Sequence, residues 1–112
     1  MGSDSAHSNG GDLPPEVVED LLADERRRAA LAVLRDASEP VVIGDLAAAV
    51  LSRETGESAS ALARERVVDV REEFFQRHLP KLTATGVVEY DSLVGTVALV
   101  EDGPVGERLD AA

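Results

Sequence analysis

The stretch Leu79-Pro80-Lys81-Leu82-Thr83-Ala84-Thr85-Gly86-Val87-Val88-Glu89-Tyr90-Asp91-Ser92-Leu93-Val94-Gly95-Thr96-Val97-Ala98-Leu99-Val100 changes its hydrophobic period partway through. Leu79 and Leu82 close a run spaced by three and four, which is helical. Gly86 then fits the C′ position that takes a left-handed conformation and ends a helix. Beyond it, residues 87–91 and 96–100 are rich in valine and read as two strands. Ser92-Leu93-Val94-Gly95 joins them, a hairpin-sized connection with glycine at its end.

Upstream, Val67, Val70, Phe74, Phe75, His78, Leu79 and Leu82 continue the helical spacing, so the longest helix is predicted over about 60–85 with this stripe facing a core. Pro80 lies inside it, removes one backbone bond and crowds the preceding turn, which predicts a kink near residues 76–80 or a break of the helix in two. Pro14-Pro15-Glu16 opens a short first helix with Val17, Val18, Leu21 and Leu22 at helical spacing. Asp24-Glu25 opens a second, whose stripe is Ala29, Ala30, Leu31, Val33 and Leu34, and Ser38-Glu39-Pro40 stops it. Val41-Val42-Ile43 is a short strand edge; Asp45 is a candidate N-cap for a third helix carrying Leu46, Ala47, Val50 and Leu51. In a chain this small, the order helix, helix, strand, helix, long helix, hairpin is a winged helix-turn-helix. The expected fold is α+β and mainly helical, with a C-terminal β-hairpin wing completed by the single strand.

The 112 residues carry 22 acidic against 11 basic side chains, a formal charge of −11. Residues 1–12 are polar and Gly/Ser-rich and read as a disordered leader, 13–100 as the folded domain, and 101–112 as an acidic flexible tail. The absence of cysteine excludes disulfides, thiol chemistry and thiolate zinc sites, and His7 and His78 alone do not make a metal site. No apolar run approaches the roughly 20 residues that span a bilayer, and the acidic N-terminus has no apolar signal core, so no membrane partner and a cytoplasmic location are expected. No phosphate-binding glycine loop, nucleophile elbow or histidine-supported carboxylate cluster is present, and a substrate pocket would consume much of so small a core. The chain reads as a non-enzyme without a cofactor. Ten arginines against the single lysine, Lys81, together with few aromatics, suit a salt-loving host in which molar salt screens the acidic surface.

Three pieces carry a resemblance: Arg26-Arg27-Arg28 leading into an apolar helix, His78-Leu79-Pro80-Lys81-Leu82, and Gly86-Val87-Val88-Glu89-Tyr90-Asp91 followed by Gly95-Thr96-Val97. Over residues 15–100 they resemble a small haloarchaeal winged-helix domain of unknown function, and the first and third are distantly similar to repressors of the arsenical-resistance type. The resemblance implies a winged-helix fold, a halophilic archaeal source and a role in transcription regulation. It implies no ligand or target.

Only residues 24–36 and 66–86 carry net positive charge, +1 each. In a winged helix the helix before the hairpin enters the major groove. If the protein is a DNA-binding transcription regulator, the long helix at 61–85 is its recognition element, with Arg64, Arg66, Arg71, Arg77 and Lys81 toward double-stranded DNA and Gln76 as a base-edge reader. A homodimer would set two such helices one turn apart, with Val17, Val18, Leu21 and Leu22 as the seam. Against this, Asp69, Glu72 and Glu73 interrupt the basic face, and the hairpin carries Glu89 and Asp91 with no base. The alternative is a protein-interaction module that docks on a partner without touching DNA. Convergence of Arg64, Arg66, Arg71 and Lys81 on one uncovered face favours the first; acids sharing that face favour the second. Individual residues also have structural readings. The Arg26–Arg28 cluster is expected to pair with Glu19, Asp20, Asp24 and Glu25, and His78 to be a satisfied core histidine. Phe74 and Phe75 belong to the core or a seam, and Tyr90 is a packed strand residue.

Overall fold

The computed structural model describes residues 13–100 and 103–111, so the leader expected at 1–12 lies outside the described residues. Helix α1 spans Pro15–Ala23 and α2 spans Glu25–Asp36. Strand β1 is Val41–Val42 and α3 is Ile43–Thr55. After a 3-10 turn at Ala59–Ala61 come α4 (Arg64–Glu73), a π-turn (Phe74–His78) and α5 (Leu79–Ala84), followed by β2 (Val88–Asp91), β3 (Thr96–Leu99) and α6 (Gly103–Ala111). The strands form one antiparallel sheet in the order β1-β3-β2. This is the expected mainly helical α+β winged-helix arrangement, with β1 completing the hairpin.

Local chemistry explains most boundaries. Pro15 sits at the first position of α1, where an amide would be unpaired anyway. Asp24 caps α2, its side chain accepting from the Arg27 amide at 3.0 Å, a contact that stabilises by about 1 kcal/mol. α5 ends in a paired closure: Gly86 N–H donates to Thr83 O and Val87 N–H to Leu82 O, both at 3.1 Å, with Gly86 at φ 78° as expected. Gly95 takes φ 73° at the end of the hairpin turn, its N–H donating to Asp91 O. Asp45 is not a cap: α3 already begins at Ile43, so Ile43 belongs to the helix rather than the strand and Asp45 lies within the first turn.

The long helical stretch begins at Arg64, four residues later than expected, because 59–61 close a separate 3-10 turn. From there helical conformation continues through Ala84, and Pro80 does not break it. The turn before the proline widens instead: Leu79 N–H reaches back five residues to Phe74 O, the bond of a π-turn. Inserting one residue turns everything after it by about 100° relative to an uninterrupted α-helix.

The core gathers Val18, Leu21 and Leu22 of α1, Leu31 and Leu34 of α2, Leu46, Val50 and Leu51 of α3, Val70 and Phe74, and Val88 and Val97 of the sheet. Each such side chain contributes roughly 1.5–3 kcal/mol by leaving water. The C-terminal segment is a correction. Gly103–Ala111 is a helix rather than a loose tail, its Val105 buried and Leu109 packed on the core, with Arg108 Nη2 2.9 Å from Glu19 Oε2 of α1. This cover, together with α2, buries Val18, Leu21 and Leu22 within one protomer. The seam expected there is thus occupied by the chain's own core, and only Val17 is left half-buried.

Candidate functional site on the long helix and the wing

At about 100° per residue, Val67, Val70 and Phe74 point α4 at the core, while Glu65, Asp69 and Glu72 lie on the opposite side. All three acids are exposed. The outward stripe of the helix that would enter a major groove is therefore acidic, and the arginines are divided between its flanks. Arg64 and Arg71, seven residues apart, share one flank, where the Arg71 guanidinium lies 5.9 Å from the Phe75 ring and 3.9 Å from Glu72. Arg66 shares a notch with Asp69, Glu73, Arg26 and Leu51 on the other. Gln76 and Arg77 are exposed on the π-turn.

Lys81 leaves the set altogether. Its Nζ donates to Asp20 Oδ2 of α1 at 2.9 Å, and that hydrogen bond and the ammonium charge hold the Asp20 carboxyl below its ordinary value. The rotation introduced by the π-turn accounts for this placement, which helical spacing alone does not anticipate. Arg64, Arg66, Arg71 and Lys81 thus do not converge on one face.

The arginine cluster is spent internally, with partners other than those expected. Arg27 is buried and donates to two carbonyls of the last turn of α1, Leu21 O at 2.9 Å and Asp20 O at 2.7 Å; Arg28 donates to Leu22 O at 3.1 Å. These carbonyls have no intrahelical donor, so the arginines cap α1 from the neighbouring helix. Arg26 holds Glu54 of α3 through two bonds, 2.6 and 3.0 Å, and reaches Glu73 at 2.5 Å. The pairing raises the Arg26 pKa, the Glu54 hydrogen bond contributing most.

His78 joins this network from the long helix, with 1 % of its surface exposed. Arg27 Nη1 stands 3.3 Å from its Nδ1, and guanidinium has no acceptor, so Nδ1 accepts and the ring proton of the neutral form is assigned to Nε2. Nε2–H then donates to Glu73 Oε2 at 2.9 Å. Burial alone pushes the Glu73 carboxyl up; the His78 bond and the Arg26 charge and bond outweigh it, leaving Glu73 below its ordinary value. Asp24 follows the same pattern, burial being outweighed by its bonds from the Arg27 and Arg26 backbone and by the Arg27 charge. Phe74 is buried with its ring 5.3 Å from that of His78. Phe75 and Tyr90 meet edge-on at 5.7 Å, so the aromatic residues are packed as expected.

The wing offers the other candidate surface. Register puts Asp91, Thr96 and Val42 in one row across the sheet and Glu89 and Ala98 in the next, all on the outer face; Tyr90, Val97 and Val41 turn inward. Glu89 and Asp91 are exposed, and no lysine or arginine lies between Lys81 and Val100. At the turn, Leu93 is 93 % and Val94 64 % exposed. Sequence reading placed Glu89 and Asp91 as an obstacle to phosphate but did not single out this apolar tip, whose residues sit in a turn where no period assigns a face. Among the described residues no group of His, Asp and Glu is arranged to hold a metal ion, and no helix is long and apolar enough to cross a membrane.

A family model described as "Domain of unknown function (DUF7344)" matches residues 19–98. No curated protein and no solved structure matches the chain. The matched span runs from the last turns of α1 through the long helix to β3, and on that match the chain belongs to this family.

Proposed function

We propose that this member of the family is a protein-docking module, a winged helix that engages another protein rather than gripping DNA. The observation that carries the reading is the acidic outward stripe of α4, Glu65, Asp69 and Glu72, on the face a recognition helix would offer to phosphates. The wing, with Glu89 and Asp91 and no base, repels a phosphate backbone as well. Affinity for duplex DNA rests on lysine and arginine releasing counterions, and here Lys81 and Arg26–Arg28 are committed to intramolecular partners. The partner expected is basic. In the cytoplasm of a halophilic archaeon, the setting the composition suits, the domain would act within transcription regulation through that partner. A homodimer built on α1 does not belong to this reading, because three of its four seam residues are buried in the protomer.

A second reading, a DNA-binding transcription regulator, is favoured by one observation: Arg64, Arg66, Gln76 and Arg77 are exposed along the long helix. Retention of genomic DNA by the purified protein separates the two, measured at about 2 M KCl, where counterion release contributes little. The triple variant Arg66→Ala/Arg71→Ala/Arg77→Ala is the control. The docking reading expects no fragments enriched over the variant; recurrent fragments lost in the variant establish the regulator.

A further inference from the structure

We infer that the open edge of β2 is a strand-addition site for a partner segment with Lys or Arg at alternate positions. The inference rests on the docking reading and assigns its surface. β2 ends the sheet, so one side of its backbone has no strand beside it. Val100 N–H donates to Val87 O at 2.9 Å, and antiparallel bonding alternates from there. Glu89 and Asp91 therefore bond inward to β3, which leaves the amide and carbonyl groups of Val88 and Tyr90 directed to the open edge.

A groove of about 740 Å³ takes in this edge and the outer face of the sheet beside it, lined by Thr83 of α5, by β2 and Leu93 of the turn, and by Thr96 and Ala98 of β3 with Pro40 before β1. Its charged side chains are Glu89 and Asp91 alone. They stand two residues apart on the same face, the repeat at which an added strand would present its own alternate side chains. Of the exposed large apolar residues among those described, Val42, Val68, Leu93 and Val94, all but Val68 belong to the wing sheet or its turn. Exposed apolar groups gathered beside one sign of charge mark an interaction surface. Charge complementarity selects the occupant: a second copy of this acidic edge would set Glu89 and Asp91 against each other, whereas a basic strand pairs with both. Carboxylates on an exposed edge also discourage unspecific pairing, so one pair of side chains gives both protection and selectivity.

The test titrates the isotopically labelled full chain with an alternating Lys-Val hexapeptide, an alternating Glu-Val hexapeptide and a short DNA duplex, in dilute buffer, following amide shifts and amide exchange. Strand addition is expected to shift β2, Leu93 and Ala98 and to slow exchange at the Val88 and Tyr90 amides, with the Lys-Val peptide only. Glu89→Gln/Asp91→Asn is expected to weaken that binding about tenfold. The charge-matched Glu16→Gln/Glu107→Gln, on α1 and α6, should change it less than about twofold. Equal losses in the two variants, peptide shifts confined to α4, or no peptide shift at all overturn the strand-addition site. Duplex-induced shifts across residues 64–77 overturn the docking reading itself, so the two failures are distinguishable.

Discussion

At the junction of α1, α2 and the long helix, Arg26, Arg27, Glu73 and His78 turn their polar atoms on one another; on the wing, Glu89 and Asp91 face solvent, and among the described residues no ion pair holds them. Both regions sit on the same hydrophobic core and both are built from charged residues. At the junction each donor finds an acceptor, including the α1 carbonyls that a helix end leaves bare, so charge serves to lock two helices against a third. On the wing the charges join no second element to the fold: Asp91 Oδ1 accepts only from the nearby Leu93 N–H of its own turn, at 3.0 Å, and beside them two apolar side chains project into water. The difference separates the part of the sequence that maintains the fold from the part free to meet a partner.

The contrast is broken most severely at the junction. Phe74→Ala empties a buried ring site between the core and His78 and should cost about 3–5 kcal/mol, read from denaturant unfolding. Arg27→Met keeps much of the side-chain volume but leaves Leu21 O, Asp20 O and His78 Nδ1 without their donor. About 2–3 kcal/mol is expected from the same measurement, and a loss below about 0.5 kcal/mol would mean that these bonds hold nothing together.

Acid sharpens the comparison with a smaller effect. Because the folded Glu73 carboxyl is held below its ordinary value, its stabilising contribution is complete above that value and is lost as pH falls through the lowered one. Asp24 and Asp20 act with the same sign. Glu73→Gln should flatten the acid limb of a melting-temperature profile, modestly, since water reaches much of the group. The smallest effect belongs to the wing: Leu93→Ser/Val94→Ser should move stability by no more than about 0.5 kcal/mol, because both side chains are already exposed. A larger loss there would erase the distinction between the two regions.

The architecture was readable because its signals are local. Pro15, Asp24, Gly86 and Gly95 each punctuate the chain through their own backbone chemistry, and Val67, Val70 and Phe74 carry a period. The missed helix at Gly103–Ala111 was hidden by Gly103-Pro104, which looks like a turn although proline is as acceptable in its first turn as Pro15 is in that of α1. Within the candidate site, spacing sufficed to show that acids interrupt the arginines, but not that the π-turn would swing Lys81 onto Asp20. Nor could it show Arg27 and Arg28 capping a neighbouring helix, since the acceptors are backbone carbonyls, which every residue has and no composition distinguishes.

The most direct measurement compares duplex DNA binding by the wild-type chain and by Glu65→Lys/Asp69→Lys/Glu72→Lys across a salt series. If the acidic stripe is what keeps this winged helix off DNA, the wild-type chain shows no salt-dependent binding, and the reversed stripe, on an unchanged fold, acquires it with a slope set by the phosphates it neutralises. Wild-type binding that the reversal leaves unchanged or weakens would contradict the account, and would return the long helix to the role of a DNA reader.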